Sequence, residues 1–383
     1  MTFALTGARV FDGTRLIDGA AVVVDGAAIV SFVNDTDLPA AVERRPVDGV
    51  IAPGFVDVQV NGGGGVLFND TPTVDAITAI GAVHRRFGTT GFLPTFISDA
   101  PERMREAAKA VRDALGAGVP GLLGIHFEGP WLNPARRGVH DARFFRDLSE
   151  ADIDLLTAPG LGCVLVTLAP ERVPADVIAR LAEGGVILAA GHTEADAATL
   201  RTARAAGLTG YTHLFNAMPP LSGRAPGPVG AALADKDAWC GLIVDLHHVD
   251  PVSLQVAIAA RGFERTMLVS DAMPTVGTEL ARFNLLGRSV ARQNDRLTVG
   301  DGTLAGCHLD MATAVRNTVS ALGLPLEAAL HMASRAPAEF LGLGGARGRI
   351  APGYRANLVQ LDADSRVVEA WIDGIELAGG AGR

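Results

Sequence analysis

Three residues able to bind a metal ion each stand at the end of a short, apolar, β-rich run. Glu128 ends GLLGIHFE, His192 follows GVILAAG, and His213 ends LTGYTH. A carboxylate that emerges from a buried strand needs a partner, because an unpaired buried charge is unfavourable. One carboxylate and two imidazoles, with a position left for water, form the ligand set of catalytic zinc sites. These residues therefore predict a catalytic metal site.

A second carboxylate in a similar position could move protons. Asp271 ends the buried run TMLVSD, where an unpaired charge would again be unfavourable. A general base beside the metal site accounts for it, and a carboxylate that caps a following helix is the alternative. His248 ends a further run of this kind, and Gln59 and Asn61 end the first run.

Two loop residues could bind a substrate. His140 follows Arg-Arg-Gly and could hydrogen-bond a substrate carbonyl. Arg224 lies in NAMPPLSGRAPGP, residues 216–228, which is too rich in proline and glycine to be a helix. A guanidinium on such a loop suits a phosphate or a carboxylate, and a solvated surface arginine is the alternative. His126, two residues before Glu128 on the same strand face, is interpreted as a core histidine rather than a metal ligand.

The elements that must position these residues alternate as in a parallel α/β sheet. From residue 51, apolar β-branched runs alternate with Ala-rich amphipathic stretches, and eight such runs can be counted. Eight parallel strands close a (β/α)₈ TIM barrel, whose working residues lie at the C-terminal ends of the strands. The candidate residues fall at those ends. Further expectations are helices near Thr71 to Phe87 and Pro101 to Leu115, a capping box at Ser149, and strands near residues 283–299.

The two ends of the chain differ from its middle. Short strand-like segments separated by turn residues fill the first fifty residues and return in the C-terminal tail. They most simply pair with each other into one small β-sandwich. The predicted division is therefore 1–52 and 346–383 for the two parts of a small β domain, and 53–345 for the barrel.

Composition and charge limit the partners of this chain. It has 383 residues, of which 48% are hydrophobic and 20% charged, with a net charge of −9. A globular, acidic chain of this kind is not expected to bind nucleic acid or a membrane surface. Its three cysteines are widely separated and form no CxxC pattern. With no export or anchoring signal at the start of the sequence, a reducing cytoplasm is the expected location.

Several motifs occur together in a fixed order. They are PGFVDVQVNG, GTTGFLPTFIS, HFEGPWLNP, GHTEAD, THLFNAMPPLSGR, LHHVDP, LVSDAMP and GRIAPGYRANLV, and they span roughly residues 50 to 360. With these motifs the chain resembles the amidohydrolase superfamily. Within it, the chain resembles the N-acetylglucosamine-6-phosphate deacetylase family, to which EGPWLN and HLFNAM are quite specific.

The resemblance implies a role for each motif residue. It implies that Glu128, His192 and His213 bind the catalytic metal ion. It also implies that Asp271 is the general acid and base and that His140 contacts the acetamide carbonyl. The residues that it implies contact the sugar phosphate are Asn216, Ala217, Arg224 and His248.

At one position the chain departs from the superfamily. Most amidohydrolases have His-x-His at the end of the first strand, whereas this chain has Gln59 and Asn61 there. Amide side chains are poor ligands for transition metals, so a second metal site is expected to be missing. One divalent ion per subunit is predicted. Zn²⁺ suits a Glu/His₂ set, with Fe²⁺ or another divalent ion as alternatives, because the affinity order does not fix the metal in the cell.

The reaction implied by the resemblance is hydrolysis of N-acetyl-D-glucosamine 6-phosphate to D-glucosamine 6-phosphate and acetate by a metal-activated water. The enzyme is expected to be a homodimer or homotetramer. Another amidohydrolase, such as a cyclic amidase or a nucleobase deaminase, is the alternative, which the Arg224 loop and the missing His-x-His disfavour. A metal-free binding protein that keeps only the barrel is disfavoured by the joint presence of the three ligands and Asp271.

Overall fold

The computed structural model describes residues 2–376, and its central feature is a sheet of eight parallel strands. Each strand pairs with the next along the chain, which confirms the expected α/β barrel. The strands are Phe55–Val60, Thr89–Ile97, Gly124–Glu128, Cys163–Leu168, Ile187–Ala190, Gly210–Tyr211, Trp239–Leu242 and Thr266–Leu268.

The helices lie between and after these strands. Ser149 begins one of them with the expected capping box, in which Ser149 and Asp152 cap each other's backbone N–H groups. The α-helices are Val74–Arg85, Pro101–Gly116, Glu150–Leu156, Ala175–Glu183, Ala197–Ala205, Gly227–Ala234, Pro251–Arg261, Met311–Ser320, Leu326–Leu330 and Ala336–Phe340. A π-helical turn, His331–Arg335, joins the last two. Short 3₁₀ turns are Asp35–Asp37, Pro134–Arg136, Ala142–Phe144 and Pro170–Arg172.

Two sheets built from both ends of the chain share one hydrophobic core. Phe3 and Val22 of the first sheet pack with Ile51, Leu358 and Trp371 of the second. The first sheet has the order Ala28–Asn34, Ala20–Asp25, Thr2–Thr6 and Glu43–Pro46. The second has the order Ile375–Glu376, Val367–Ile372, Leu358–Leu361, Val50–Pro53, Arg9–Phe11 and Leu16–Ile17. The terminal segments thus form a β-sandwich, while the domain boundaries at residues 52 and 345 stay predictions and residues 377–383 lie outside the described part.

A small antiparallel sheet follows the eighth barrel strand, where the sequence predicts strands. It consists of Arg282–Leu285, Arg288–Gln293 and Arg296–Val299. Its residues Val290 and Leu297 pack against Ile97 and Met273. Ile97 ends the second barrel strand and Met273 follows the eighth, so this sheet covers the carboxyl end of the barrel. We call it the cover sheet. A two-stranded ribbon, Gly62–Gly63 with Val66–Leu67, lies at the same end.

Two sequence expectations concern membranes and disulfides. Among the helices of residues 2–376, none combines the length and the apolar character needed to cross a membrane. Cys163, Cys240 and Cys307 are all free thiols.

The first and eighth strands are joined by a buried side-chain clamp rather than by a regular ladder. The Ser270 hydroxyl donates to one oxygen of Asp57, and the backbone N–H of Ser270 donates to the other at 3.3 Å. Nearby, the N–H of Asn61 donates to the carbonyl of Ala272 at 3.0 Å. Burial, only partly offset by the hydrogen bonds from Ser270, raises the pKa of Asp57 to about 7. The clamp closes the barrel directly below the ends of the two strands.

We expect Ser270→Ala to lower the free energy of unfolding by about 1–3 kcal/mol, because it leaves a buried carboxyl oxygen without its hydroxyl donor. Urea unfolding at fixed pH and metal concentration measures the change. Ser320→Ala is the matched control, since the Ser320 hydroxyl is exposed and bonds only to the carbonyl of Arg316 in its own helix. If the free energy of unfolding fell no more in Ser270→Ala than in the control, the clamp would not contribute to the stability of the barrel.

Candidate active site

One oxygen of Glu128 lies at the centre of the site. Glu128 Oε1 is 3.0 Å from His192 Nε2 and 2.9 Å from His213 Nε2, and the two Nε2 atoms are 3.2 Å apart. Glu128 ends the third barrel strand, and the histidines follow the fifth and sixth strands. All three side chains are buried. The barrel thus brings Glu128 together with two histidines that are 64 and 85 positions away from it in sequence.

The backbone holds the two histidines in an unusual conformation. His192 and His213 have φ angles of 48° and 28°, and Asp271 has 48°. Non-glycine residues in this region are strained, and such strain collects at functional sites where the surrounding structure holds it. Each of the three residues lies two or three positions after the end of a short barrel strand, so the turn out of the strand aims the side chain into the barrel mouth.

The donor set fits a divalent metal ion. The Nδ1–H of His192 donates to the carbonyl of Arg136 at 2.8 Å, which leaves the Nε2 lone pair free for a metal. Ligand atoms about 2.0–2.1 Å from one tetrahedral ion lie about 3.3 Å from one another, close to the separations found here. Although burial disfavours its charged form, the imidazoles of His192 and His213 beside it hold the pKa of Glu128 well below its usual value. The site therefore presents one carboxylate and two imidazoles facing one point.

Two other histidines border this set without replacing His213. His140 Nε2 is 3.9 Å from Glu128 Oε1, farther than the corresponding atom of His213. His126 has both ring nitrogens engaged, with Thr95 Oγ1 at 3.1 Å and Thr167 Oγ1 at 2.8 Å. Burial lowers the pKa of His126 to about 4, so it is a neutral core residue.

Two amides take the place of the usual histidines at the first strand. Asn61 Nδ2 donates to Asp271 Oδ1 at 2.6 Å. Gln59 Nε2 donates to Glu128 Oε2 at 3.2 Å and to Asp271 Oδ1 at 3.3 Å. Gln59 therefore bridges the two carboxylates, and both amides offset part of the carboxylate repulsion by hydrogen bonding. Burial and the neighbouring Glu128 carboxylate raise the pKa of Asp271 to about 6.

His140 is held by a residue that sequence reasoning missed. Ser98 Oγ lies 2.9 Å from His140 Nδ1 and 3.4 Å from the carbonyl of Glu128, so the shorter contact is with the imidazole. Burial and the neighbouring His192 lower the pKa of His140 to about 3. A neutral His140 that accepts from Ser98 at Nδ1 carries its proton on Nε2, which faces the metal ligands. The signal for Ser98 was its position directly after the second strand.

One cavity of about 480 Å³ is lined by six of the residues described above, namely Asn61, Glu128, His140, His192, His213 and Asp271. Asn216, Ala217 and His248 line it too, and their contact with a sugar phosphate stays a prediction. Arg224 lies on the exposed loop outside the cavity, so the structure does not bring it to the other site residues within one chain. Two arginines that the sequence did not single out, Arg136 and Arg296, line the cavity instead. Arg136 precedes His140 in the RRG segment, whereas Arg296 comes from the cover sheet, which no motif marks.

An α/β barrel with two imidazoles and a carboxylate at the carboxyl ends of its strands is the architecture of a metal-dependent hydrolase. The profile of the amidohydrolase family matches residues 50–377, and that of the NagA composite domain matches residues 2–51. The chain belongs to the amidohydrolase family.

Individual relatives cover nearly the whole chain. The N-acetylgalactosamine-6-phosphate deacetylase of Shewanella sp. (strain ANA-3) is 42% identical over 96% of this chain and 94% of its own. The N-acetylglucosamine-6-phosphate deacetylase of Homo sapiens is 37% identical over 87% of this chain and 84% of its own. The crystal structure of N-acetylglucosamine-6-phosphate deacetylase from Pasteurella multocida superposes with a TM-score of 0.95 at 32% identity, covering 99% of this chain and 100% of that one.

We expect His192→Gln to reduce bound metal to a small fraction of the wild-type value, because it removes one of the three candidate ligands. Elemental analysis after gel filtration measures the ion content. His126→Gln is the matched control: it changes a buried histidine of the strand that carries Glu128, but one whose nitrogens bond to threonines. Equal metal losses in both variants would mean that the loss reports general disruption of the barrel and not coordination.

Proposed function

We propose that this protein is an N-acetylglucosamine-6-phosphate deacetylase that hydrolyses its substrate to D-glucosamine 6-phosphate and acetate. The observation that carries the proposal is the convergence of Glu128, His192 and His213 with Asp271 and His140 on one cavity. Relatives at 29% to 42% identity along most of the chain carry the name of an N-acetylhexosamine-6-phosphate deacetylase. The cavity of about 480 Å³ is large enough for one sugar phosphate.

Glu128, His192 and His213 would hold one divalent ion, most simply Zn²⁺. When bound, such an ion supplies a Lewis acid that polarises the acetyl carbonyl and acidifies a water molecule. The amides of Gln59 and Asn61 already donate to both nearby carboxylates, which supports one ion per subunit rather than two.

The proton transfers fall to Asp271. As a carboxylate it accepts the proton of the attacking water, and it then delivers that proton to the departing amine nitrogen, which must be protonated to leave. A pKa of about 6 suits both steps near neutral pH. Asn61 fixes one oxygen of Asp271 by the 2.6 Å hydrogen bond, leaving the other free for the proton.

His140 would stabilise the developing negative charge on the carbonyl oxygen. A neutral imidazole with its proton on Nε2 donates to that oxygen, and Ser98 keeps the ring in this form and orientation. Because the ring is buried against His192 and Phe145, its donor position is set before a substrate arrives.

The phosphate would lie toward the residues at the other side of the cavity. His248 and Asn216 line it, and Ala217 adds a backbone with a φ of 51°. Arg136 and Arg296 supply cationic groups to the cavity wall, while Arg224 would have to reach a phosphate from its exposed loop.

We also propose a cytoplasmic location, since three free thiols suit a reducing compartment. We further propose that the protein is a homodimer or homotetramer.

A second candidate substrate is the C4 epimer, N-acetyl-D-galactosamine 6-phosphate. It is favoured by two relatives named N-acetylgalactosamine-6-phosphate deacetylase, at 42% and 35% identity. The reaction and the roles of the residues are the same for both epimers.

Acetate release from both 6-phosphates and from unphosphorylated N-acetylglucosamine tests the proposal. We expect kcat/KM for at least one 6-phosphate to exceed that for the free sugar at least about tenfold, because hydrogen bonds to charged groups contribute about 1.5–3 kcal/mol. Absence of acetate from either 6-phosphate, with metal-loaded protein, would contradict the proposed function. A preference for the galactosamine epimer would change the assigned substrate and leave the proposed mechanism unchanged.

For Asp271→Asn we expect kcat to fall by about 10²- to 10⁴-fold while the metal content stays near that of the wild type. The asparagine can still accept from Asn61 but cannot carry the proton. Steady-state rates on the preferred 6-phosphate, with elemental analysis of the same samples, measure both quantities. Wild-type kcat between pH 6 and 9 would assign the proton transfers to another group.

The variants Arg136→Ala and Arg224→Ala test separately whether each arginine binds the phosphate. We expect Arg136→Ala to lower kcat/KM for the 6-phosphate about tenfold or more and to leave the poor activity on the free sugar nearly unchanged. A similar loss in Arg224→Ala would confirm that its loop reaches a phosphate. If kcat/KM for the 6-phosphate fell only in Arg136→Ala, phosphate binding would be limited to arginines within the cavity. If a variant lost kcat/KM equally for the 6-phosphate and the free sugar, its arginine would not bind the phosphate.

A further inference from the structure

A second group of metal-binding side chains lies beside the active site. It consists of Asp245 and His248, which follow the seventh barrel strand, and Cys307, which follows the cover sheet. Their ligand atoms all lie within 4.8 Å of one another. The proposed deacetylation uses neither Asp245 nor the thiol of Cys307.

The distances within this group are close to those of a shared ion. Cys307 Sγ is 3.5 Å from His248 Nδ1, which is the separation expected for sulfur and nitrogen ligands about 2.3 and 2.1 Å from one tetrahedral ion. The Nδ1–H of His248 donates to Asp245 Oδ2 at 2.6 Å, so the pair is drawn together by a hydrogen bond. Replacement of that proton by an ion requires the two atoms to separate by less than an ångström.

The backbone around the three side chains is already ordered. Asp245 Oδ1 accepts from the N–H groups of His247 and His248, both at 2.9 Å. The N–H of Cys307 donates to the carbonyl of Asp271 at 2.9 Å. Because these contacts leave Asp245 Oδ2, His248 Nδ1 and Cys307 Sγ facing one another, little reorganisation is needed to bind an ion.

The site can also be reached from solvent-filled space. His248 lines the active-site cavity, and Asp245 lines a neighbouring cavity of about 510 Å³. The group lies between the two, and either cavity offers an entry path.

We propose that Asp245, His248 and Cys307 form a second site that binds a thiophilic divalent cation such as Zn²⁺ or Cd²⁺, separate from the Glu128 centre. A thiolate, an imidazole and a carboxylate with one position for water are a favourable set for these ions. On binding, the thiol of Cys307 releases its proton, and the hydrogen on His248 Nδ1 gives way to the ion as the ring changes to its Nε2–H tautomer.

Cadmium distinguishes the two sites, because only the second contains a thiolate. Protein with its Glu128 centre filled by Zn²⁺ is freed of excess metal and titrated with Cd²⁺. We expect one further equivalent to bind by equilibrium dialysis, with a thiolate-to-cadmium charge-transfer band in the ultraviolet that saturates at the same point. The readout requires no catalysis, so it is independent of the proposed function.

Matched serine variants assign the band to its cysteine. Cys307→Ser should lose both the band and the further equivalent, whereas Cys163→Ser and Cys240→Ser should keep both. His248→Gln should weaken binding at least about tenfold, the scale for loss of a metal-site contact, and serves as a second variant if Cys307→Ser melts at a lower temperature. Absence of the band from the wild type, or its persistence in Cys307→Ser, would overturn the proposal.

Discussion

The site depends on one buried carboxylate oxygen that two imidazoles share. Glu128 Oε1 cannot be buried at the barrel mouth without compensation, and the Nε2 atoms of His192 and His213, about 3 Å away, provide it. This requirement explains the surrounding structure. The carbonyl of Arg136 sets the tautomer of His192, Gln59 satisfies the second oxygen of Glu128, and the strained turns after the strands keep the two imidazoles in place.

The Glu128 carboxylate also affects the protonation of the second carboxylate of the site, Asp271. Glu128 and burial raise the pKa of Asp271 to about 6, and the amide of Asn61 keeps that residue in position. Two amides at the first strand donate hydrogen bonds to both carboxylates, which weakly offset negative charge but leave a carboxylate able to exchange a proton. The Asp57–Ser270 clamp holds the first and eighth strands together below these residues. Barrel closure and catalytic geometry are thus parts of one buried polar network.

Much of the fold and of the site could be predicted from the sequence. The spacing of apolar residues indicates the strands and helices, and the position of polar residues at strand ends indicates the site. Apolar β-branched runs alternating with amphipathic stretches predicted the barrel, and polar residues at strand ends predicted Glu128, His192, His213 and Asp271 as neighbours. Ser98, Arg136 and Arg296 were missed for different physical reasons. Ser98 contacts His140 rather than the cavity, and Arg136 lies in the same loop segment as His140, which was chosen as the candidate there. Arg296 reaches the cavity only because the apolar face of the cover sheet packs on Ile97 and Met273.

The sequence by itself determined the fold class, the ligand types and the loss of His-x-His, because these follow from residue identity and short-range order. It also determined which strand end carries each ligand. Only the tertiary structure decided which histidine lies closest to Glu128 beside His192, since His126, His140 and His213 are chemically alike and differ only in what surrounds them. It likewise placed Arg224 outside the cavity and brought Cys307 to His248, because both outcomes depend on how distant loops pack, which local sequence does not encode.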